Sequence, residues 1–286
     1  MLISIIIPAY NEEALIADTL LNYCGLGKGV DIELLVICNG CVDKTYELSK
    51  NICSRLKIKN KVYDLPVGSK TAAINKGVEV SNGDYLLIQD ADVVLTCEDI
   101  KNLVSEIDSQ SVLTYASVKP LFVFDVKTSL LVKLYYGFLS KTPAFKKGMV
   151  SAGIYLVKRD CLKGIFPLPQ VIADDGYIKA SFGTEKLVLL SKVRTKVRVP
   201  KKFFDLIKIK TRSNFGNFQL KKEFNISPSG GDNSKLNILK IAYKERVVLS
   251  LFVYIFVVII SKFRAKIQLI VNKNKIGWER DESSRN

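Results

Sequence analysis

Short, largely apolar runs punctuate the first third of the chain, at Ser4 to Pro8, Ile32 to Cys38, Lys61 to Leu65 and Tyr85 to Gln89, with helically spaced stretches between them. Runs of this length, bounded by turn formers, read as strands. A strand, helix, strand order with short connections predicts a mostly parallel sheet with right-handed crossovers and helices on both faces. Asn11, Asp43 and Ser69 each precede a helical stretch as N-cap candidates, and Glu12 with Glu13 suits the positive end of the first helix. Beyond Asp92 the order becomes α+β: a helix near Glu98 to Ile107, a strand near Val112 to Val118, then an aromatic helix around Val126 to Leu139. A strand over Met149 to Val157 follows, and Asp174-Asp175 opens a helix running through Ser181. Lys133, Tyr135, Tyr136, Phe138 and Lys141 suit an acceptor or membrane face, although aromatic stripes on helices are more often core.

The turn-rich Asn225 to Ser234 marks a boundary. Val247 to Ile260 is then a 14-residue apolar stretch broken only by Ser250 and flanked by Lys244, Arg246, Lys262, Arg264 and Lys266. As a helix it measures about 21 Å, short of the ~30 Å hydrocarbon core. It is expected to lie in or dip into a bilayer, with a buried helix of the folded domain as the alternative. Positive charge on both flanks gives no orientation. The expected organisation is a catalytic domain over 1–224, a linker over 225–235, and a membrane-associating segment with a polar tail over 236–286, where Trp278 lies.

Composition narrows the partners. The 286 residues are 48% apolar, which excludes disorder, and 43 Lys and Arg against 28 Asp and Glu leave a net charge of +15. Such a balance suits nucleic acid, an anionic bilayer or phosphorylated ligands. Basic residues concentrate over Lys192 to Arg212 and Lys240 to Lys275 without a nucleic-acid motif, which favours a membrane surface and a diphosphate. Met1 to Pro8 lacks a basic leader and a cleavage site and reads as the first strand. Six cysteines lie mostly in or beside apolar stretches, as expected of a reducing cytosolic compartment. Cys38-Asn39-Gly40-Cys41 is a C-x-x-C, but the chain has no histidine and no second such pair to complete a zinc site, so it reads as a strand-end loop. No G-x-G-x-x-G follows a strand; Gly25 to Gly29 reads as a helix stop, and Gly68-Ser69-Lys70-Thr71 lacks P-loop spacing.

The chemistry begins at Asp90-Ala91-Asp92, where an apolar strand runs out into two carboxylates. In open α/β sheets ligands collect at the carboxyl ends of strands, and an oxygen-only pair suits Mg²⁺ or Mn²⁺. The same triplet also suits a solvated turn. Asp174-Asp175 is the second acidic pair.

SIIIPAYNEE (Ser4 to Glu13), CNGCVDKT (Cys38 to Thr45), GSKTAAINKG (Gly68 to Gly77), QDAD and the later ADD, in this order, resemble family 2 glycosyltransferases of the GT-A fold from about residue 3 to residue 220. The resemblance implies a Rossmann-like, mostly parallel central sheet, here followed by a hydrophobic helical segment. It also implies a nucleotide-sugar donor, with Pro8, Ala9, Tyr10, Asn11 and Glu12 lining the nucleoside pocket. Asp43 falls where the family commonly has an Asp, whereas Cys38 and Asn39 stand in place of acidic residues near the base. Lys70 matches a lysine that meets donor phosphates. Asp90 is assigned to ribose or metal-bound water and Asp92 to the metal, Mn²⁺ or Mg²⁺, that bridges the diphosphate. Inversion at the anomeric carbon requires a base, assigned to Asp175 with support from Asp174. Arg212 is a second cationic contact for the diphosphate, and Gly148 to Gly153 resembles the small-residue segment before the acceptor pocket. The polymerising Q-x-x-R-W motif is absent. The expected protein moves one sugar to a lipid-linked or cell-surface glycan acceptor on the cytoplasmic side of the cell membrane. A sugar-phosphate nucleotidyltransferase and a catalytically silent nucleotide-sugar binding or scaffold protein are the alternatives.

Overall fold

The computed structural model describes residues 1–26, 31–110, 113–226 and 235–271. It contains a seven-stranded sheet built from β1 (Ile3–Ala9), β2 (Ile32–Asn39), β3 (Lys59–Leu65), β4 (Tyr85–Gln89), β5 (Tyr115–Val123), β6 (Ile154–Lys158) and β7 (Leu187–Arg198). Their order is β3-β2-β1-β4-β6-β5-β7. Strands β1, β2, β3 and β4 pair in parallel, and β6 runs antiparallel to both β4 and β5. The α/β fold class expected from the alternating pattern is therefore the one observed.

The chain divides into two compact units. The first, residues 1–121, 151–170 and 181–197, carries α1 (Ile16–Leu21), α2 (Thr45–Cys53), α3 (Lys70–Val80) and α4 (Cys97–Asp108) with most of the sheet. The second, residues 122–150, 171–180 and 198–286, carries α5 (Leu130–Leu139), the short α6 (Pro143–Lys146), most of α7 (Asp174–Phe182), α8 (Phe203–Phe224), α9 (Lys235–Lys244) and α10 (Val248–Val271).

Every position of β1 and β2 is buried, as befits parallel strands covered on both faces. The edge strand β3 instead exposes alternate residues, among them Lys59 and Lys61, which discourages further strand pairing. Two polar residues interrupt the buried runs, and each is satisfied. Ser4 Oγ donates to Glu33 Oε1 at 2.6 Å and accepts from Gly83 N at 2.7 Å. Glu33 also accepts from Asn82 N and meets Lys59 Nζ at 3.2 Å.

Several boundaries differ from those the sequence predicts, each for a local reason. Residues 111–112 lie outside the described residues, and the strand expected from Val112 starts at Tyr115. The aromatic helix starts at Leu130, because an Asp125 turn bonds Lys127 N and Ser129 caps the first turn through Val132 N. Tyr135, Tyr136 and Phe138 on it are core, at 3%, 7% and 0% exposure. The strand expected from Met149 starts at Ile154, after Gly153 takes a φ of +68°. Ser69 caps α3 through Ala72 N as expected, but Asn11 does not cap α1: it sits at φ +50°, and the helix starts later, at Ile16. Asn225 closes α8 in a left-handed cap, whereas 227–234, Gly27 to Gly29 and the tail with Trp278 fall outside the described residues.

The largest correction is α10. The apolar run predicts 14 residues, yet the helix has 24, about 36 Å, and continues through Lys262, Arg264 and Lys266. Lys and Arg interrupt hydropathy without interrupting a helix, since both are good helix formers. The helix is long and apolar enough to cross a membrane.

Glu33 supplies a test of the strand junction. Burial pushes its carboxyl up, but the bonds from Asn82, Ser4 and Lys59 outweigh this and hold it below the usual carboxylate value. A depressed carboxylate stabilises above its unfolded pKa, and that contribution is lost as pH falls through the folded one. Urea unfolding should therefore show an acid loss of stability that Glu33→Gln reduces, with the variant about 1–3 kcal/mol less stable at pH 7.

Candidate functional site

Parallel strands β1, β2 and β4 end on the same side of the first unit, and their terminal loops assemble there. Asn39, 2% exposed, ties two of these ends together: its Nδ2 donates to Ala9 O at 2.8 Å, and its Oδ1 accepts from Ser69 N at 2.9 Å. The amide thereby braces the start of α3 against the end of β1. Beside it Asn11 Oδ1 accepts from Val42 N at 2.8 Å, and Thr45 Oγ1 accepts from Glu12 N at 2.7 Å. Asp43 accepts from both Glu13 N (3.1 Å) and Thr45 N (3.0 Å), which locks the β1 loop to the start of α2. Gly40, at φ +60°, has no room for a Cβ, which would stand 2.4 Å from Gly68 N; a Cβ on Gly68 would in turn come within 3.0 Å of the Tyr10 ring. Pro8 and Ala9 close β1.

The C-x-x-C belongs to this loop cluster, as its reading as a strand-end loop requires. All six cysteines are unpaired thiols, and Cys38 is fully buried. Its hydrogen bond holds the Cys41 thiol below the usual thiol value, against the opposing effect of burial and with help from the Asn11 and Asn39 amides.

Lys70, the first residue of α3, places Nζ 2.8 Å from Asp90 Oδ1, with both side chains partly exposed at 24% and 34%. Asp90 is itself fixed by its N–H to Gly153 O at 2.8 Å, and a side chain on Gly153 would collide with Val93. The turn carrying Asp92 is held by Val93 N to Asp90 O (3.1 Å), by Gln89 Nε2 to Val93 O (2.8 Å) and by Thr19 Oγ1 to Ala91 O (2.7 Å). Among the described residues no group of three or more His, Cys, Asp or Glu is arranged to hold a metal ion. The donor set at this turn is thus two carboxylates, Asp90 and Asp92. Two hard oxygen side chains fit a Mg²⁺ or Mn²⁺ ion that keeps waters and takes phosphate oxygens for its remaining positions.

In the second unit Asp174 is buried at 3% exposure and Asp175 half-buried at the start of α7. Asp175 Oδ1 accepts from Gly176 N at 2.8 Å, a first-turn position where negative charge is favoured. One turn on, Lys179 donates to Met149 O at 2.7 Å; burial lowers its ammonium pKa, and Asp175 partly restores it. The approach to the pair is set by α8: Gln219 Oε1 accepts from Ile172 N at 3.1 Å, and a Cβ on Gly216 would stand 2.9 Å from the Ala173 Cβ. Arg212 also lies on α8, near Lys210, whose ammonium sits over the Tyr135 ring at 5.5 Å and is pushed down to about 8 by burial and by Arg212.

Residues 4–166, more than half of the chain, match the family described as Glycosyl transferase family 2. The chain belongs to glycosyl transferase family 2. Among curated family relatives, an uncharacterized glycosyltransferase of Haemophilus influenzae is 37% identical over 92 residues, 32% of this chain and 36% of that protein. A dolichol-phosphate mannosyltransferase of Pyrococcus furiosus is 27% identical over 111 residues, 39% of this chain and 31% of that protein. The matched segments thus span about a third of these relatives' lengths. Among solved structures, a mannosyltransferase from Pyrobaculum calidifontis in complex with GDP-Man and Mn²⁺ aligns over 96% of this chain and 76% of its own, with a TM-score of 0.59 and 16% identity. That likeness carries the GT-A fold.

Of the site residues singled out in the sequence, Pro8 to Glu12, Asn39, Asp43, Lys70, Asp90 and Asp92 lie on one unit; Asp174, Asp175 and Arg212 lie on the other. Motif reading passes over Gly216 and Gln219, whose spacing on a basic helix carries no signal beyond Gly in a helix interior. Gly216→Leu should displace the Ala173 backbone and lower sugar turnover at least about tenfold, while Gly216→Ala costs less. Steady-state kinetics beside circular dichroism of both variants checks this.

Proposed function

We propose that this chain is a metal-dependent, inverting glycosyltransferase that moves a single sugar from a nucleotide-sugar donor to a lipid-linked or cell-surface glycan acceptor at the cytoplasmic face of a membrane. The observation that carries the reading is the turn at Asp90-Ala91-Asp92, presented at the strand ends of a family 2 domain with Lys70 bonded to it. The catalytic domain is residues 1–224, and 236–286 serves attachment.

Asp92, with Asp90, would hold Mn²⁺ or Mg²⁺, which when bound neutralises charge growing on the departing nucleoside diphosphate. Lys70 adds a second positive charge beside Asp90, and Arg212 offers a planar fork for phosphate oxygens. The loop from Pro8 to Glu12, braced by Asn39 and Asp43, receives the nucleoside. Asp175 takes the acceptor hydroxyl proton and Asp174 orients it. The metal and donor classes are those of the Pyrobaculum calidifontis complex, and the lipid-linked acceptor class is that of the Pyrococcus furiosus relative. A nucleotidyltransferase is disfavoured because a Gly-rich, Arg-containing loop would be needed where Ala9-Tyr10-Asn11-Glu12 stands.

The test is nucleoside diphosphate release from UDP-, GDP- and dTDP-sugars with Mn²⁺ or Mg²⁺, in detergent. One donor should be turned over in a metal-dependent manner. Asp92→Asn should abolish this turnover, and Asp175→Asn should lower transfer by about 10²–10⁴-fold while leaving nucleotide binding intact. Metal-dependent nucleotide binding without turnover of any donor would instead mark a silent binding protein.

A further inference from the structure

The long apolar helix α10 is packed against charged neighbours of its own unit. It packs lengthwise on α5 and α8. Its buried face, Leu251, Val253, Val257, Ser261 and Ala265, extends over about 21 Å. Tyr254 stacks on Tyr135 of α5 at 5.5 Å, and Ser261 Oγ accepts from Asn214 of α8 at 2.9 Å. The partner α8 carries seven charged residues, Asp205 through Glu223, in 22 positions. A helix so charged is excluded from hydrocarbon, so α10 cannot cross a bilayer while it stays packed on α8.

The opposite face of α10 is apolar and open. Leu249, Phe252, Phe256, Ile259 and Phe263 recur at three- and four-residue steps and are 52–66% exposed, and Ile270, 73% exposed, follows seven residues on, beyond the exposed Lys266. Charge supplies the second observation. The stretches that form the second unit hold 25 Lys and Arg against 10 Asp and Glu, whereas those of the first hold 18 against 18. The whole net charge of +15 therefore belongs to the unit that carries this face. Within that unit Lys141, Lys146, Lys147 and Lys240 also line a cleft of about 390 Å³.

Building on the membrane location given under Proposed function, we infer that α10 is an in-plane interfacial helix, seated by its Leu249-to-Ile270 row in one leaflet of an anionic bilayer. Apolar side chains on one face and cations around it are the combination that binds such interfaces. A second copy of the chain is disfavoured as occupant, because it would bring another +15 to the same face.

Full-length protein is to be sedimented with phosphatidylcholine vesicles containing or lacking phosphatidylglycerol, and native membranes extracted with alkaline carbonate. The expected result is binding to the anionic vesicles alone, weakening with salt, and release by carbonate. Phe252→Ser with Ile259→Ser should lower vesicle partitioning more than about tenfold, with melting temperature unchanged. Carbonate resistance, with engineered cysteines at either end of α10 labelled from opposite sides, would overturn the inference in favour of a spanning helix. Absence of vesicle binding, or a dimer in light scattering that the double variant dissociates, would overturn it as well. Donor turnover in detergent separates the two claims: turnover without vesicle binding refutes only the interfacial helix, and vesicle binding without turnover refutes only the transferase reading.

Discussion

The donor end of the first unit depends on one buried amide. Asn39 closes β2 and is bonded at once to the end of β1 and to the start of α3. Parallel strands that end side by side leave backbone groups without ladder partners, and here a side chain answers them. Because Ser69 opens α3 and Lys70 follows it, the same amide fixes where the lysine begins its reach to Asp90. Neither an acidic residue nor a small one could do this at position 39, since a carboxylate lacks the donor that Ala9 O requires. The amide at position 39 is thus engaged on both sides.

The acidic turn beyond β4 is as constrained as the amide. Its backbone is tied down by Gly153, Gln89 and Thr19, while the carboxylates of Asp90 and Asp92 remain partly exposed. A site with two protein carboxylates leaves most of the coordination sphere to water and phosphate. In the proposed reading such an arrangement would couple cation binding to nucleotide binding.

Much of this is legible in the sequence. Predominantly apolar runs mark β1, β2 and β4, because strands buried on both faces show no alternating polar side. Asp90-Ala91-Asp92 was legible for the opposite reason, as charge placed where such a run stops. The strand β7 and helix α8 were not: their lysines and arginines read as a basic surface, although β7 alternates buried and exposed positions. The length of α10 was hidden because hydropathy ends at Lys262 while helix propensity does not. The roles of Asn39, Gly216 and Gln219 rest on partners 30 to 47 residues away in sequence, and pairings at that distance leave no trace in local pattern.

Binding of Mn²⁺, followed by electron paramagnetic resonance with and without a nucleoside diphosphate, tests the two-carboxylate site most directly. The account predicts weak Mn²⁺ binding alone and at least about tenfold tighter binding with the matching nucleotide, lost in Asp92→Asn. Tight Mn²⁺ binding without nucleotide, or coupling that survives Asp92→Asn, would contradict it.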